Sequence, residues 1–167
     1  MRTLLHLLGG ALVLGVVAIA GCDSGPDRRN GSFVADVRGT VAVQLDGGAQ
    51  FFLQTAPDSG EPTSFEIVLT AQTSEIVIES VAGSGAPQQA TYNIERTTPG
   101  TSSRVVHAEF DPDRFNTTSE RFIAESGTLT LTRVTEALVE GEFNLDARGT
   151  NDPRAEIFLI GEFSVQR

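Results

Sequence analysis

Ser126-Gly127-Thr128-Leu129-Thr130-Leu131-Thr132 leads through residues 134–137 into Leu138-Val139-Glu140-Gly141-Glu142-Phe143-Asn144-Leu145-Asp146-Ala147. In the first half threonine and leucine alternate, so Thr128, Thr130 and Thr132 line one face of an extended chain while Leu129 and Leu131 line the other. In the second half Val139, Gly141, Phe143 and Leu145 take one parity and Glu140, Glu142 and Asn144 the opposite one. A period of two on both sides of a short polar connection predicts two antiparallel strands, each with one dry and one wet face.

The same period continues outward. Val37, Val41, Val43 and Leu45 share a parity, with Gly39 between them, and Asp46-Gly47-Gly48 reads as a hairpin turn into Phe51-Phe52-Leu53. Phe65, Ile67 and Leu69 alternate with Glu66, Val68 and Thr70, as Ile76 and Ile78 do with Val77 and Glu79. Short strands are expected at 90–95, 105–110, 122–125 and 157–165, separated by loops at 56–63, 83–89, 97–103 and 149–153. Residues 114–120 read as irregular, with room for one helical turn. No dozen-residue window carries an apolar stripe at helical spacing. The chain is therefore expected to be all-β: a single antiparallel β-sandwich, or a closed barrel, of about eight to ten strands. Gly39, Gly141 and Gly161 are the positions where bulges or close sheet packing are expected.

The N-terminus has a different pattern. Arg2 supplies a positive charge, residues 4–20 form an apolar run broken only by His6 and a few glycines, and Ile19-Ala20-Gly21-Cys22 closes it. An aliphatic residue, two small residues and a cysteine at that place resemble the lipobox of bacterial lipoproteins. The resemblance implies cleavage between Gly21 and Cys22, acylation of Cys22 with palmitate-type chains, and attachment to a membrane through two or three of them. It divides the chain into a signal peptide (1–21), a lipidated cysteine with a flexible polar tether (22–31) and an all-β domain (32–167). An uncleaved spanning helix is disfavoured because the run is short, glycine-dotted and ends on cysteine. Asp23 resembles an inner-membrane retention signal in some lineages, and it does not choose a membrane here.

Cleavage leaves 146 of the 167 residues, enough for one domain with a sizeable core. All 22 acidic residues lie beyond Cys22, and loss of Arg2 takes the formal charge from −10 to −11. That surface argues against nucleic acid and against anionic head groups as partners by charge alone. The basic residues are all arginine, in keeping with a GC-rich genome or a salt-adapted surface. Cys22 is the only cysteine, so the chain forms no internal disulfide. Trp is absent and Tyr92 is the one tyrosine, which removes the usual aromatic platforms for sugars.

Gly31-Ser32-Phe33-Val34-Ala35-Asp36-Val37, soon after the cysteine, and the late hairpin of residues 126–145 resemble the small β-sandwich lipoproteins of unknown function common in Bacteroidota and their relatives. The resemblance covers about half of the mature chain. It implies a β-sandwich at the cell envelope, and it transfers no catalytic residue, since that family has none established.

Candidate chemistry is sparse. His107 is the only imidazole left after cleavage, yet it lies in a strand without a nucleophile elbow or an oxyanion loop beside it. Glu140 with Glu142, and Glu109 with Asp111, share strand faces as paired carboxylates would, which the wet face of an amphipathic strand explains equally. Asp111, Asp113 and Asn116 form the better of two weak calcium candidates; Asp146 with Asn151 and Asp152 is the other. Neither matches an EF-hand loop, and the same residue types build ordinary turns. The chain is expected to be non-catalytic: a membrane-anchored structural or interaction module facing the periplasm or cell surface, binding an envelope protein or another envelope component. The alternative is a carrier of a small apolar ligand, with a pocket facing Phe51, Phe65 and Phe143.

Overall fold

The computed structural model describes residues 31–81, 83–96 and 105–167. The leader, Cys22 and all but the last residue of the tether lie outside them. Among the described residues there are nine strands: β1 (Ser32–Gly39), β2 (Val43–Thr55), β3 (Pro62–Ala71), β4 (Ser74–Ser80), β5 (Thr91–Glu95), β6 (Val105–Asp111), β7 (Phe122–Val134), β8 (Leu138–Gly149) and β9 (Glu156–Gln166). They hydrogen-bond in the order β1-β2-β3-β4-β6-β5-β7-β8-β9, and β9 pairs back onto β1. The fold is thus all-β and closed: of the two expected architectures it is the barrel and not the sandwich. Closure leaves no long unpaired edge.

Antiparallel pairing holds throughout except between β5 and β6, which run parallel through Asn93–Val105 and Ile94–Val106. β5 is a wedge. It separates β6 from β7 over one half of the barrel, and beyond its end those two meet directly at Glu109–Ile123 and Phe110–Phe122.

Parity decides which side chains enter the barrel. The inward rows carry Phe33, Ala35, Val37, Phe65, Ile67, Leu69, Ile76, Ile78, Leu129, Leu131, Phe143, Leu145, Leu159 and Phe163, all buried in one continuous core. The long late hairpin keeps this parity along β7 only by slipping register twice, at Ala124/Ser126 and at Leu131/Arg133. The extra residues, Glu125 and Thr132, are exposed. They let Phe122 and Ala124 face inward before the first bulge, and Leu129 and Leu131 after it.

One of the expected turns moves. Asp46-Gly47-Gly48 is not a hairpin turn but the middle of β2; the chain reverses earlier, after Gly39, through residues 40–42. β2 pairs with β1 through Val43–Gly48 and with β3 through Gly48–Thr55, so the glycine pair sits where its coverage passes from one neighbour to the other. A Cβ on Gly47 would lie 2.0 Å from the Thr70 carbonyl oxygen, so glycine there serves close strand approach instead of a turn. Residues 114–120 contain turns and no helix, and 122–125 are continuous with the late hairpin.

Candidate functional site

Among the described residues the barrel interior holds one continuous apolar core. At the end that carries the N-terminus, Phe51 stacks on Phe65 (6.2 Å between centroids) and Phe65 meets Tyr92 edge-on (5.5 Å). Tyr92 is held by its hydroxyl, which accepts from the Gln88 amide at 2.8 Å, and the Arg167 guanidinium lies 5.5 Å above the Phe51 ring. Towards the other end Phe110 packs on Phe122 at 6.1 Å. Between them, Gly161 faces Phe143 and Gly141 faces Phe163 across the β8–β9 ladder. A Cβ on Gly161 would come within 2.6 Å of the Phe143 ring, and one on Gly141 within 2.8 Å of the Phe163 ring. Each ring occupies the space that its partner's missing side chain leaves, the small-large alternation by which narrow barrels fill. The phenylalanines named for a carrier pocket are core: Phe65 and Phe143 are buried and Phe51 is partly buried against them.

The calcium candidates are brought together after β6, where protein donors use the side chains of Asp111 and Asn116. Asp111, whose side chain is 13% exposed, accepts from the Asp113 amide (3.0 Å) and the Ser119 hydroxyl (3.2 Å) and pairs with Arg121 Nε at 3.0 Å. The Asn116 side-chain oxygen accepts from the amide and hydroxyl of Thr118. Among the described residues no three His, Cys, Asp or Glu side chains are grouped to hold a metal. In the second cluster Asp152 accepts from the Arg154 amide and Asp146 from the Ser126 hydroxyl.

His107 lies on the outer wall of β6, its Nε2 3.0 Å from Glu109 Oε1, and across from Glu79 of β4. Glu79 in turn faces Glu66 of β3. Partial burial, then the nearby Glu79 and Glu75 carboxylates, raise the Glu66 pKa above the ordinary glutamate value. Since the folded state holds this proton more tightly than the unfolded chain, the ionised side chain destabilises the barrel at neutral pH. That loss is relieved as pH falls through the folded pKa towards the unfolded one. Glu66→Gln is expected to raise Tm at pH 7, with the gap to wild type closing below about pH 4.3. Thermal unfolding from pH 3.5 to 8 checks this, and a gap that does not change with pH would exclude ionisation as its cause.

An open cleft of about 630 Å³ lies on the opposite wall, over β2, β1, β9, β8 and β7. Its lining includes Asp36, Asp46, Glu142 and Glu162, the half-exposed aliphatics Val34 (47%) and Ile160 (49%), and Thr128 and Thr130; among the described residues no basic one lines it. Asp36 pairs with Arg38. Among the described residues Asp46, Glu142 and Glu162 form no ion pair, although Glu142 and Glu162 stand directly opposite each other on β8 and β9. Like charges in that position destabilise a sheet. Of the paired carboxylates read from the sequence, Glu140 instead engages Arg133 (3.8 Å) and Ser164 (3.3 Å), and Glu142 looks into the cleft. The strand pattern assigned these residues to the wet face, but the sequence carried no signal that Asp36, Asp46 and Glu162 would join them, because that depends on which strands become neighbours. Comparison of the chain with protein-family models, with curated proteins and with solved structures finds no significant match in any of the three.

Proposed function

We propose that this protein is a lipid-anchored, non-catalytic interaction module of the bacterial envelope that binds a protein partner through the outside of its barrel. The observation that carries this is the packed interior. Among the described residues aromatic pairs pack towards both ends and Phe143 and Phe163 pack between them, which favours a binding surface outside the barrel over one within it, and the open cleft faces outward. The resemblance of the late hairpin and the opening segment to small envelope lipoproteins agrees with this role.

The anchor sets the orientation. Gly31 packs beside Ala49 and Val165, at the end of the barrel that also bears the β2–β3 and β7–β8 turns. From Cys22 to Gly31 the chain spans at most about 30 Å, so this end lies near the membrane. The loop after β6, with Phe115 71% exposed, points away from it. The cleft, midway along the wall, is open to a partner standing beside the barrel.

The anchor is tested by Cys22→Ala in the full-length chain. Wild type is expected in the membrane fraction with labelled palmitate incorporated, and the variant is expected to lose the label and leave that fraction. Retention of both in Cys22→Ala would overturn the lipid-anchor reading.

A further inference from the structure

We propose that the outer cleft over β1, β8 and β9 receives an extended cationic segment of a partner protein, with basic side chains flanking an aliphatic one. The proposal rests on the interaction-module reading. It starts from the ladder. One row across the wall reads Asp46, Val34, Glu162, Glu142, and the next reads Gln44, Asp36, Ile160, Asn144. Neighbouring strands lie about 4.8 Å apart, so the first row places three carboxylates over roughly 14 Å with one valine between them.

Val34 and Ile160 are diagonal neighbours between the two rows and form an apolar strip within the acidic rim. On an extended peptide, alternate side chains project to one side about 6.8 Å apart. An arginine–leucine–arginine alternation therefore sets its leucine on the Val34–Ile160 strip and its guanidinium groups among Asp46, Glu142 and Glu162. There each charge answers a carboxylate that lacks a counter-ion in the barrel itself.

The opposite wall is the informative contrast. It is also acidic, and among the described residues Glu66 and Glu79 form no ion pair there, but three of its carboxylates are answered within the barrel: Glu75 by Arg114, Asp111 by Arg121 and Glu109 by His107. A simple metal ion is a poorer occupant, because the described residues offer no grouped metal-binding set. An anionic membrane surface is repelled. The aliphatic strip distinguishes a peptide from a bare polyamine.

The test uses the full-length chain in detergent micelles and a fluorescein-labelled peptide alternating arginine and leucine with serine spacers, read by anisotropy at low salt. Saturable binding is expected, at least tenfold weaker for a version with glutamate in place of arginine. The double variant Glu142→Gln/Glu162→Gln is expected to lose at least tenfold in affinity and Ile160→Ser about fivefold. Glu66→Gln/Glu79→Gln, on the other wall, is expected to bind as wild type does. Thermal unfolding of each variant separates lost binding from lost fold.

No saturable binding, or equal binding by the cleft variants and wild type, overturns the proposal. Photo-crosslinking in cells from positions 160 and 115 separates its failure from that of the wider reading. Adducts at 160 that map to a basic segment of one partner support the cleft. Adducts at 115 alone leave the interaction module standing and remove the cleft, and adducts at neither remove both.

Discussion

Gly127→Ala is expected to destabilise the barrel by about 3–5 kcal/mol, with Tm lowered by roughly 10 °C or more. Gly127 sits in β7 between Ile94 of β5 and Leu145 of β8, immediately after the bulge that resets the inward parity. Two independent penalties meet there. Its φ is +148°, a backbone conformation that a side chain disfavours. A Cβ would also lie 2.2 Å from the Asn144 carbonyl oxygen and 2.7 Å from the Leu145 Cα, both backbone atoms that no rotamer change can move aside. Relief requires β7 and β8 to separate within a ladder of eleven residue pairs. Gly48→Ala is the matched control, since nothing lies within 4 Å of where its Cβ would stand. It is expected to be neutral or to stabilise by up to about 1 kcal/mol, because alanine narrows the unfolded ensemble. Urea unfolding of both variants measures the difference; a Gly127→Ala cost below about 1 kcal/mol would show that the ladder opens easily at this point.

The contrast between these glycines marks what the sequence could convey. Alternation at Phe65–Leu69, Ile76–Ile78 and Val139–Leu145 is a local property of the chain, and these residues all face the core as their parity requires. Asp46-Gly47-Gly48 carries strong turn chemistry, yet it lies within β2, because Thr70 of β3 approaches Gly47 too closely for any side chain. That approach belongs to strand order and stagger, which leave no local trace. The parallel β5–β6 pair was illegible for the same reason: five residues with alternating burial look alike whichever direction their neighbour runs.

The site follows the same division. Glu142 sits on a strand face that alternation assigns to water, whereas Asp46, read as part of a turn, lies within β2. The convergence of the cleft carboxylates is set by closure of β9 onto β1, which brings Glu162 beside Val34, and by the β8–β9 register, which brings it opposite Glu142. Asp111 and Asn116, five residues apart and attractive as oxygen ligands, instead accept hydrogen bonds from amides and hydroxyls of their own loop, and Asp111 also pairs with Arg121. Proximity along the chain was silent about the convergence at the cleft.

Phe143→Ala is expected to cost about 3–5 kcal/mol, the range for removing a buried aromatic ring, and its consequences reach beyond stability. Phe143 is 2% exposed and pairs with Gly161 on one side and Leu129 on the other. The Phe143 ring is the nearest obstacle to a Cβ on Gly161, at 2.6 Å, ahead of the Val34 carbonyl oxygen at 2.7 Å and the Ala35 Cβ at 2.9 Å. Gly161→Ala is therefore expected to cost less in the Phe143→Ala background than in wild type, with a coupling of about 1 kcal/mol. The coupling stays partial because the Val34 oxygen remains. The truncated barrel is also expected to gain saturable binding of benzene-sized apolar molecules, which stay dry cavities lined by Leu and Ile accept, while wild type binds none. Thermal unfolding of the two single variants and the double variant, with and without benzene, reads all three effects. Strict additivity would mean that the ring and the glycine do not share one space. Benzene stabilisation of wild type to the same extent as the variant would mean that the interior is not filled, and the outward-facing cleft would then lose its claim to be where this barrel binds.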